Sequence, residues 1–598
     1  MKKLFLRLSG LAAIVTTLLI VGCHPPETTP LAETLLPATT LAFVDIPDFQ
    51  NCRARVAASP LAPFCQNPEI QACFGQPFAD WTGTATTGQS PIWMTALLGG
   101  EALTLPHGEA FVAITQMAIS PDRPPQFTLA TGINLTGHKL ATQASLKLFA
   151  YKLQKSNPAA TVETRKHLGY TYTLWKVAPD SQICQAFFGS LLVFTTDEDL
   201  LRDMLARYLG KVDTDTPALT TNAGYQNTLR QLPPQSDLHA YLDVEQLVTR
   251  FGLLLMAIAP NNSLVQQLAN IQAWGTGVTF GETNITDVGV TTYVHPNPPA
   301  PPIRLTTLAA APTDSTFYFA GTPNLADAYN NLLEAIKLSG NHNAAALVAG
   351  LELATSFSGI NPAKDLLARL GPEVAGIANW REGAQIPDLG IVAEVRDQPS
   401  FARKFDRLNN LLDKAFKTGD TLTLGGVTLR VIHTNYGSAA PTYALTDKFF
   451  ILALTPDYAR ELVSQIQTSQ VSLAANHENS DTQCDLRLTL AGLYSLAGTN
   501  TLPLLGPLPS PATIARYVGN YSATTVDSPT SSMTTAHSPL GKPVTLTLAL
   551  VGGLAAAQSW LPELQAAIPA LPKMSSGTPA PLRPAGNQMG ESHNQSSQ

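Results

Sequence analysis

Pro37-Ala-Thr-Thr-Leu-Ala-Phe-Val-Asp-Ile-Pro-Asp48 reads as a short buried strand, Leu41 to Ile46, stopped by Pro47. The pattern returns at Pro312-Thr-Asp-Ser-Thr-Phe-Tyr-Phe-Ala-Gly-Thr-Pro-Asn324. With one residue inserted, Thr40 falls on Thr316, Phe43 on Phe319, Pro47 on Pro323 and Asp48 on Asn324, while Gly321-Thr322 replaces Asp45-Ile46. Other segments recur in the same order. Glu373 stands where Glu109 does, and Pro387 to Val392 parallels Pro125 to Ala130. Phe449 to Asp457 matches Phe187 to Asp197 with two residues fewer, and Asp485 to Leu490 echoes Asp237 to Leu242. Recurrence with order preserved marks a tandem duplication.

Between the copies lies His295-Pro-Asn-Pro-Pro-Ala-Pro-Pro302, five prolines in eight residues. Such a run favours extended polyproline geometry and makes a stiff spacer. At 598 residues the chain exceeds a single core. The predicted organisation is a leader at 1–22, a tether at 23–35, one repeat domain at 36–295, a linker at 296–302, a second repeat domain at 303–570 and a disordered tail at 571–598.

Within copy one, Asp48 is placed to cap a helix carrying Phe49, Cys52 and Val56. Strands are predicted at 109–114, 126–133 and 186–194, a helix at 139–155, a hairpin at 161–177 and a helix from Asp197. Ala273 to Phe280 and Ile285 to Val294 form the closing hairpin. In copy two, Ser400 caps an amphipathic helix with Phe401, Phe405, Leu408, Leu412 and Phe416 on one side. Asn520 to His537 reads as a Ser/Thr-rich loop, and Val544 to Ala557 as apolar core, too short to span a bilayer. Strands in hairpins with intervening helices predict an α+β fold, two homologous domains with mostly antiparallel sheets flanked by helices.

The N-terminus carries an address. Lys2, Lys3 and Arg7 precede an apolar run, Leu11 to Val21, that is too short for a preferred spanning helix. It ends Leu19-Ile-Val-Gly-Cys23, which resembles a bacterial lipobox. The resemblance implies removal of residues 1–22, acylation of Cys23 (palmitate among the acyl groups) and attachment to a membrane. His24 follows where an inner-membrane retention signal has Asp, which favours the outer membrane, facing the periplasm or the cell surface. An exported chain meets oxidising conditions, so one disulfide among Cys52, Cys65 and Cys73 competes with buried thiols as the reading of these residues. Cys184 and Cys484 complete an odd set of five, so at least one lacks an internal partner.

Leu35-Leu-Pro-Ala-Thr-Thr-Leu-Ala-Phe-Val-Asp-Ile-Pro-Asp48, with Asn222 to Pro233 and Asp237 to Asp243, resembles an uncharacterised bacterial domain-of-unknown-function family of the 3352 type. Its members are exported proteins and lipoproteins, and the resemblance transfers no catalytic residue.

Chemistry-bearing patterns are absent from the sequence. There is no Gly-x-Ser-x-Gly, His-Glu-x-x-His, Cys-x-x-Cys or phosphate-binding loop. Gly275-Thr-Gly-Val-Thr-Phe-Gly281 reads as hairpin glycines, because its last glycine falls one residue late for a dinucleotide fingerprint. His477-Glu478 reads as a solvated loop pair, and His239 as an exposed strand position whose repeat partner is Arg487. Glu109 and Glu373 are read as turn or capping carboxylates, Asp197 and Asp457 as helix caps, and Trp175, Trp274 and Trp380 as core or edge aromatics. No catalytic, cofactor-binding or metal-binding residue is nominated, and Cys23 is the one modification site. With a net charge of −7 and no basic run past the N-terminus, nucleic acid is not expected as a partner.

The leading functional reading is a non-enzymatic envelope lipoprotein for binding or scaffolding, its partners the membrane through Cys23 and an envelope protein or polymer. The second is a periplasmic carrier of lipid or another apolar ligand, favoured by the Leu-rich, charge-poor composition. The third is a hydrolase with dispersed catalytic residues.

Overall fold

Strand β1 (Ala42–Ile46) lies between β2 (Ala110–Ser120) and β8 (Leu238–Asp243), antiparallel to both. The computed structural model describes residues 29–75 and 108–567, apart from short internal stretches, the longest being 259–267, 339–347, 433–439 and 469–479. The leader, Cys23, loop 82–90, His477-Glu478 and the tail at 571–598 therefore fall outside the described residues.

From β1 the sheet extends both ways. On one side β2 pairs β3 (Arg123–Asn134), β3 pairs β7 (Leu191–Thr195), and β6 (Ser181–Phe188), β5 (Tyr170–Ala178) and β4 (Thr161–His167) follow. On the other, β8 pairs β9 (Ile271–Phe280) and β9 pairs β10 (Ile285–Tyr293). The first half thus reads 4-5-6-7-3-2-1-8-9-10.

Among the described residues the second half has ten strands as well: β11 (Phe317–Gly321), β12 (Leu370–Asn379), β13 (Asp388–Val395), β14 (Thr421–Leu424), β15 (Val427–Val431), β16 (Thr442–Leu445), β17 (Phe449–Ala453), β18 (Thr482–Asp485), β19 (Asn520–Asp527) and β20 (Ser531–Ser538). Their order is 14-15-16-17-13-12-11-18-19-20, that of the first half strand for strand. The last strands of the two halves, β10 and β20, pair antiparallel from Ile285↔Ser538 to Thr292↔Ser531. All twenty strands therefore form one antiparallel sheet, and equivalent strands meet across a pseudo-two-fold at its centre. Helices flank this sheet, so the fold is α+β.

Both halves bury the same face. In the first, Phe43, Phe111, Ala130, Leu191 and Val193 pack under α1 (Ala32–Leu35), α5 (Glu198–Tyr208) and α6 (Ala223–Leu229). In the second, Tyr318, Ala375, Val392 and Ile451 pack under Tyr458, Ala459, Leu462 and Val463 of α10 (Pro456–Thr468). On the opposite face, α4 (Lys139–Ser156) sets Leu146 among Ile133, Leu192 and Phe194. Its counterpart α9 (Gln398–Phe416) sets Phe401 and Phe405 on Ala393 and Phe450. Near the seam, α11 (Leu486–Ala497), α12 (Pro511–Tyr517) and α13 (Lys542–Ala567) enclose a cluster with Cys484, Tyr521 and Leu548. Phe64 and Ile70 of the first half join it, so the halves are tied by side chains as well as by the sheet. The remaining helices named below are α2 (Phe49–Ala58), α3 (Leu61–Cys65), α7 (Val244–Ile258) and α8 (Leu325–Leu338).

Several boundaries differ from the sequence reading. The predicted strand at 186–194 is a hairpin, β6 and β7, turning at Gly189 with φ +61°. The Ser/Thr-rich stretch 520–537 is the β19–β20 hairpin, where Thr525 and Thr534 face each other with hydroxyls 3.2 Å apart. Composition hid it, because Thr is a good strand residue while Ser is a loop marker. Asp485 to Leu490 is not a strand. Asp485 caps α11, accepting from the Arg487 amide at 2.9 Å, and its equivalent is Asp243, since both amides donate to the residue opening the first strand, Thr316 and Leu41. His239 then corresponds to Asp481, and Arg487 lies on a helix. In α9 the cap is Asp397, which accepts from the Ser400 amide, and in α10 it is Thr455, whose hydroxyl accepts from the Tyr458 amide. Asp197 does cap α5, at 2.8 Å from the Leu200 amide.

The opening echo also shifts by one. Glu109 directly precedes Ala110, the partner of Ile46, and Glu373 directly precedes Val374, the partner of Gly321, which aligns Asp45 with Ala320, Phe43 with Tyr318 and Val44 with Phe319. Burial agrees: Phe43 and Tyr318 are in the core, and Val44 and Phe319 are exposed. The inserted residue sits after the strand, ahead of Asp48 and Asn324, which each cap the following helix. All five described cysteines are thiols, with Cys65 exposed and the others buried, and burial pushes Cys52 and Cys73 up to about 11.

Candidate functional site

Glu109 sits at the foot of β2, 8% exposed, and accepts the Ala32 amide of α1 on both oxygens, at 2.9 and 3.1 Å. The alternation of β1 that points Phe43 inward also points Asp45 inward, beside it. The two carboxyls are close enough for the charge of one to oppose that of the other. Burial, reinforced by Glu109 and Glu33, pushes Asp45 up to about 8. Burial likewise raises Glu109, to about 7, against the pull of the Ala32 amide. That amide favours charge on Glu109, so ionisation is the more strongly opposed at Asp45. One Asp45 oxygen is buried without a hydrogen-bond partner.

Aromatic hydroxyls border the pair. Tyr225 donates to Glu33 Oε2 at 2.5 Å, and Tyr241 donates to Asn222 Oδ1 and Asp243 Oδ2, each at 3.2 Å. The rings of Phe43, Tyr225 and Tyr241 pack edge-on in series beneath. Burial raises both phenols. Two neighbouring buried carboxyls raised toward neutral pH are the makings of an acid–base couple.

The second half keeps the cap and loses the couple. Glu373, 1% exposed, accepts from the Arg304 amide at 2.9 Å, the Thr307 amide at 2.8 Å and the Thr307 hydroxyl at 2.6 Å. Burial opposes its ionisation, but these donors outweigh burial and hold it below the usual carboxylate range. Ala320 occupies the Asp45 position. Both glutamates thus satisfy amides at the start of the short helix leading into the first strand, which is the capping role read from the sequence.

Other singled-out residues are structural. Gly275 and Gly277 lie in β9, where an added Cβ would stand 2.3 Å from Thr228 and 2.5 Å from Ser236. They are hairpin glycines where the strand packs closely on helix α6 and on the loop that follows it. Trp175 and Trp380 are buried, donating to Gln185 and to the Ala384 carbonyl, whereas Trp274 is exposed. Glu198 of α5 receives Tyr172, Arg165 and Arg202, a polar strap between helix and hairpin β4–β5. Among the described residues no group of His, Cys, Asp and Glu is arranged to hold a metal, and no helix is long and apolar enough to cross a membrane.

One surface feature recurs in both halves and was not read from the sequence. On the face opposite the core, Val44 and Val112 stand side by side on β1 and β2, 38% and 52% exposed. In the second half Phe319 of β11 and Ile391 of β13 flank Gly376 of β12 on the same face, 49% and 48% exposed; Phe319 is the equivalent of Val44, while Gly376 takes the place of Val112 and Ile391 that of Thr131. The signal was present in the strict alternation of Phe43 in and Val44 out.

Residues 108–484, from the foot of β2 to the end of β18, match the family described as protein of unknown function (DUF3352). The chain belongs to that family. The DUF3352 match thus runs across the boundary between the two halves. No curated protein and no solved structure matches the chain.

Proposed function

We propose that this DUF3352 protein is a lipid-anchored envelope lipoprotein whose repeated sheet is a non-catalytic binding or scaffolding platform. The observation that carries the reading is an exposed apolar pair on the same face of each half, Val44 with Val112 and Phe319 with Ile391, of which Val44 and Phe319 are equivalent positions. Contiguous apolar surface of this kind marks interaction sites on soluble domains. The shared strand order supports reading the chain as a tandem duplication, which gives a platform two related patches on one rigid sheet. Acylation at Cys23, after removal of residues 1–22, would hold it to the outer membrane. The carrier reading finds less support, since the space between sheet and helices is filled by Phe43, Phe111, Tyr225 and Tyr241 in one half and by Tyr318, Tyr458 and Leu462 in the other.

The test is a photoreactive residue at Ile391, activated in the native envelope. A discrete adduct with a second protein, lost in Phe319→Asp, supports the platform. Crosslinks confined to the chain itself would show that its own segments cover the pair, and would sink the reading. Labelling with radioactive palmitate, absent from Cys23→Ser, checks the anchor separately.

A further inference from the structure

The described chain begins at Thr29, whose hydroxyl lies 2.5 Å from Ser190 Oγ in the β6–β7 turn. Ser190 donates to Asn134 Oδ1 at 2.9 Å, and Thr136 Oγ1 stands 3.0 Å from Ser190 and 2.7 Å from Asn134. Three residues later α4 starts, at Lys139. The point where the chain departs toward Cys23 and the first turn of α4 therefore share one end of the molecule. Only residues 24–28 separate Cys23 from Thr29. At about 3.5 Å per extended residue, an acylated Cys23 keeps this end within about 20 Å of the bilayer.

Charge is distributed unevenly here. The α4 sequence holds Lys139, Lys147, Lys152 and Lys155 and no acidic residue, in a chain of net charge −7. Its counterpart α9 mixes Arg403, Lys404, Arg407 and Lys414 with Asp406 and Asp413. The inner side of α4 is committed to the fold through Leu146 and Ala150, and the Lys139 ammonium sits 5.8 Å over the Phe187 ring. The outer side is a strip of Leu140, Lys147, Tyr151 and Lys155, with Leu140 82% and Tyr151 64% exposed. A leucine so exposed, a tyrosine at headgroup depth and lysines without neutralising acids on the helix suit an interface between water and anionic lipid.

We propose that the Leu140–Lys147–Tyr151–Lys155 strip of α4 docks on an anionic lipid surface and orients the sheet against the membrane. The proposal rests on the anchoring reading for its geometry, while its charge argument is independent of acylation.

The experiment takes the mature chain, residues 23–598 with Cys23→Ser, and measures co-sedimentation with vesicles containing phosphatidylglycerol and with vesicles of phosphatidylcholine alone. Binding is expected to the anionic vesicles and to fall with added salt. Lys147→Glu combined with Lys155→Glu should weaken it about 30-fold or more, at roughly fivefold per lysine, with an unchanged thermal melt. Lys147→Arg with Lys155→Arg should retain it. Equal binding to both vesicle types, no binding to either, or indifference to charge reversal overturns the proposal. If the unmodified Cys23 chain takes up no palmitate while its Ser variant still binds anionic vesicles through α4, the anchor fails and the docking strip stands.

Discussion

Asp287 on the last strand of the first half accepts the amide of Lys542, at the start of the last helix of the second, at 2.7 Å. The carboxylate is 2% exposed and thus serves one half as strand residue and the other as helix cap. Eight paired residues of β10 and β20, with a Ser531-to-Gln231 hydrogen bond of 2.8 Å, complete the seam. The expected consequence is that the Pro-rich linker is not what holds the halves together. With a protease site inserted between Pro298 and Pro301, the cleaved protein should elute as one particle. Asp287→Ala, costing about 1–2 kcal/mol through the lost cap, should make the cleaved halves separate at lower denaturant. Halves that part on cleavage in buffer alone would refute the seam.

Asp45 titrates against the fold. Its folded value, about 8, lies above its ordinary one, so the unfolded chain ionises first as pH rises. The associated stability is complete in acid and is lost progressively toward pH 8. Asp45→Asn, which keeps the shape and removes the ionisation, should flatten that decline and raise stability at pH 8 by on the order of 2 kcal/mol. Thermal melts of both proteins from pH 5 to pH 9 give the comparison, and parallel profiles would mean that Asp45 is already ionised.

Glu373 has the opposite sign. Its pKa is held down, so its contribution is present at neutral pH and lost as pH falls through the folded value. Glu373→Gln leaves buried amides of Arg304 and Thr307 poorly satisfied and should cost about 1–3 kcal/mol at pH 7, shrinking in acid. Glu109→Gln, at a site where burial raises the carboxyl instead of donors lowering it, should cost less at pH 7. Equal losses from both substitutions would contradict the difference in donors between the two sites.

These two glutamates also show how far the sequence was legible. Their recurrence in order was visible, and with it the repeated order of elements and the α+β class, because apolar alternation and turn residues mark strands and their ends directly. The Asp45–Glu109 neighbourhood was not visible, since a one-residue shift after β1 hides that Asp45 corresponds to Ala320 and not to Gly321. The β20 strand was missed because its stability comes from pairing with β10 across the molecule, not from its own residues. Likewise α4 looked like an ordinary helix until Thr29 and Ser190 placed its first turn beside the start of the described chain.

Gly552 and Gly553 are adjacent in α13 and separate packing from propensity. An added Cβ at Gly552 would stand 2.7 Å from the ring of Tyr494, whose hydroxyl donates to the Leu548 carbonyl at 3.2 Å. One at Gly553 meets nothing within 4 Å. Gly552→Ala must therefore push α13 from α11 or displace a fully buried tyrosine, at a cost of about 1–3 kcal/mol. Gly553→Ala gains only helix propensity and should stabilise by about 0.5–1 kcal/mol. Urea unfolding of the two variants should move the midpoint in opposite directions, and loss of Tyr494 near-ultraviolet dichroism should accompany Gly552→Ala alone. If both substitutions stabilise, α13 does not rest on Tyr494 and the close approach of the two helices is wrong.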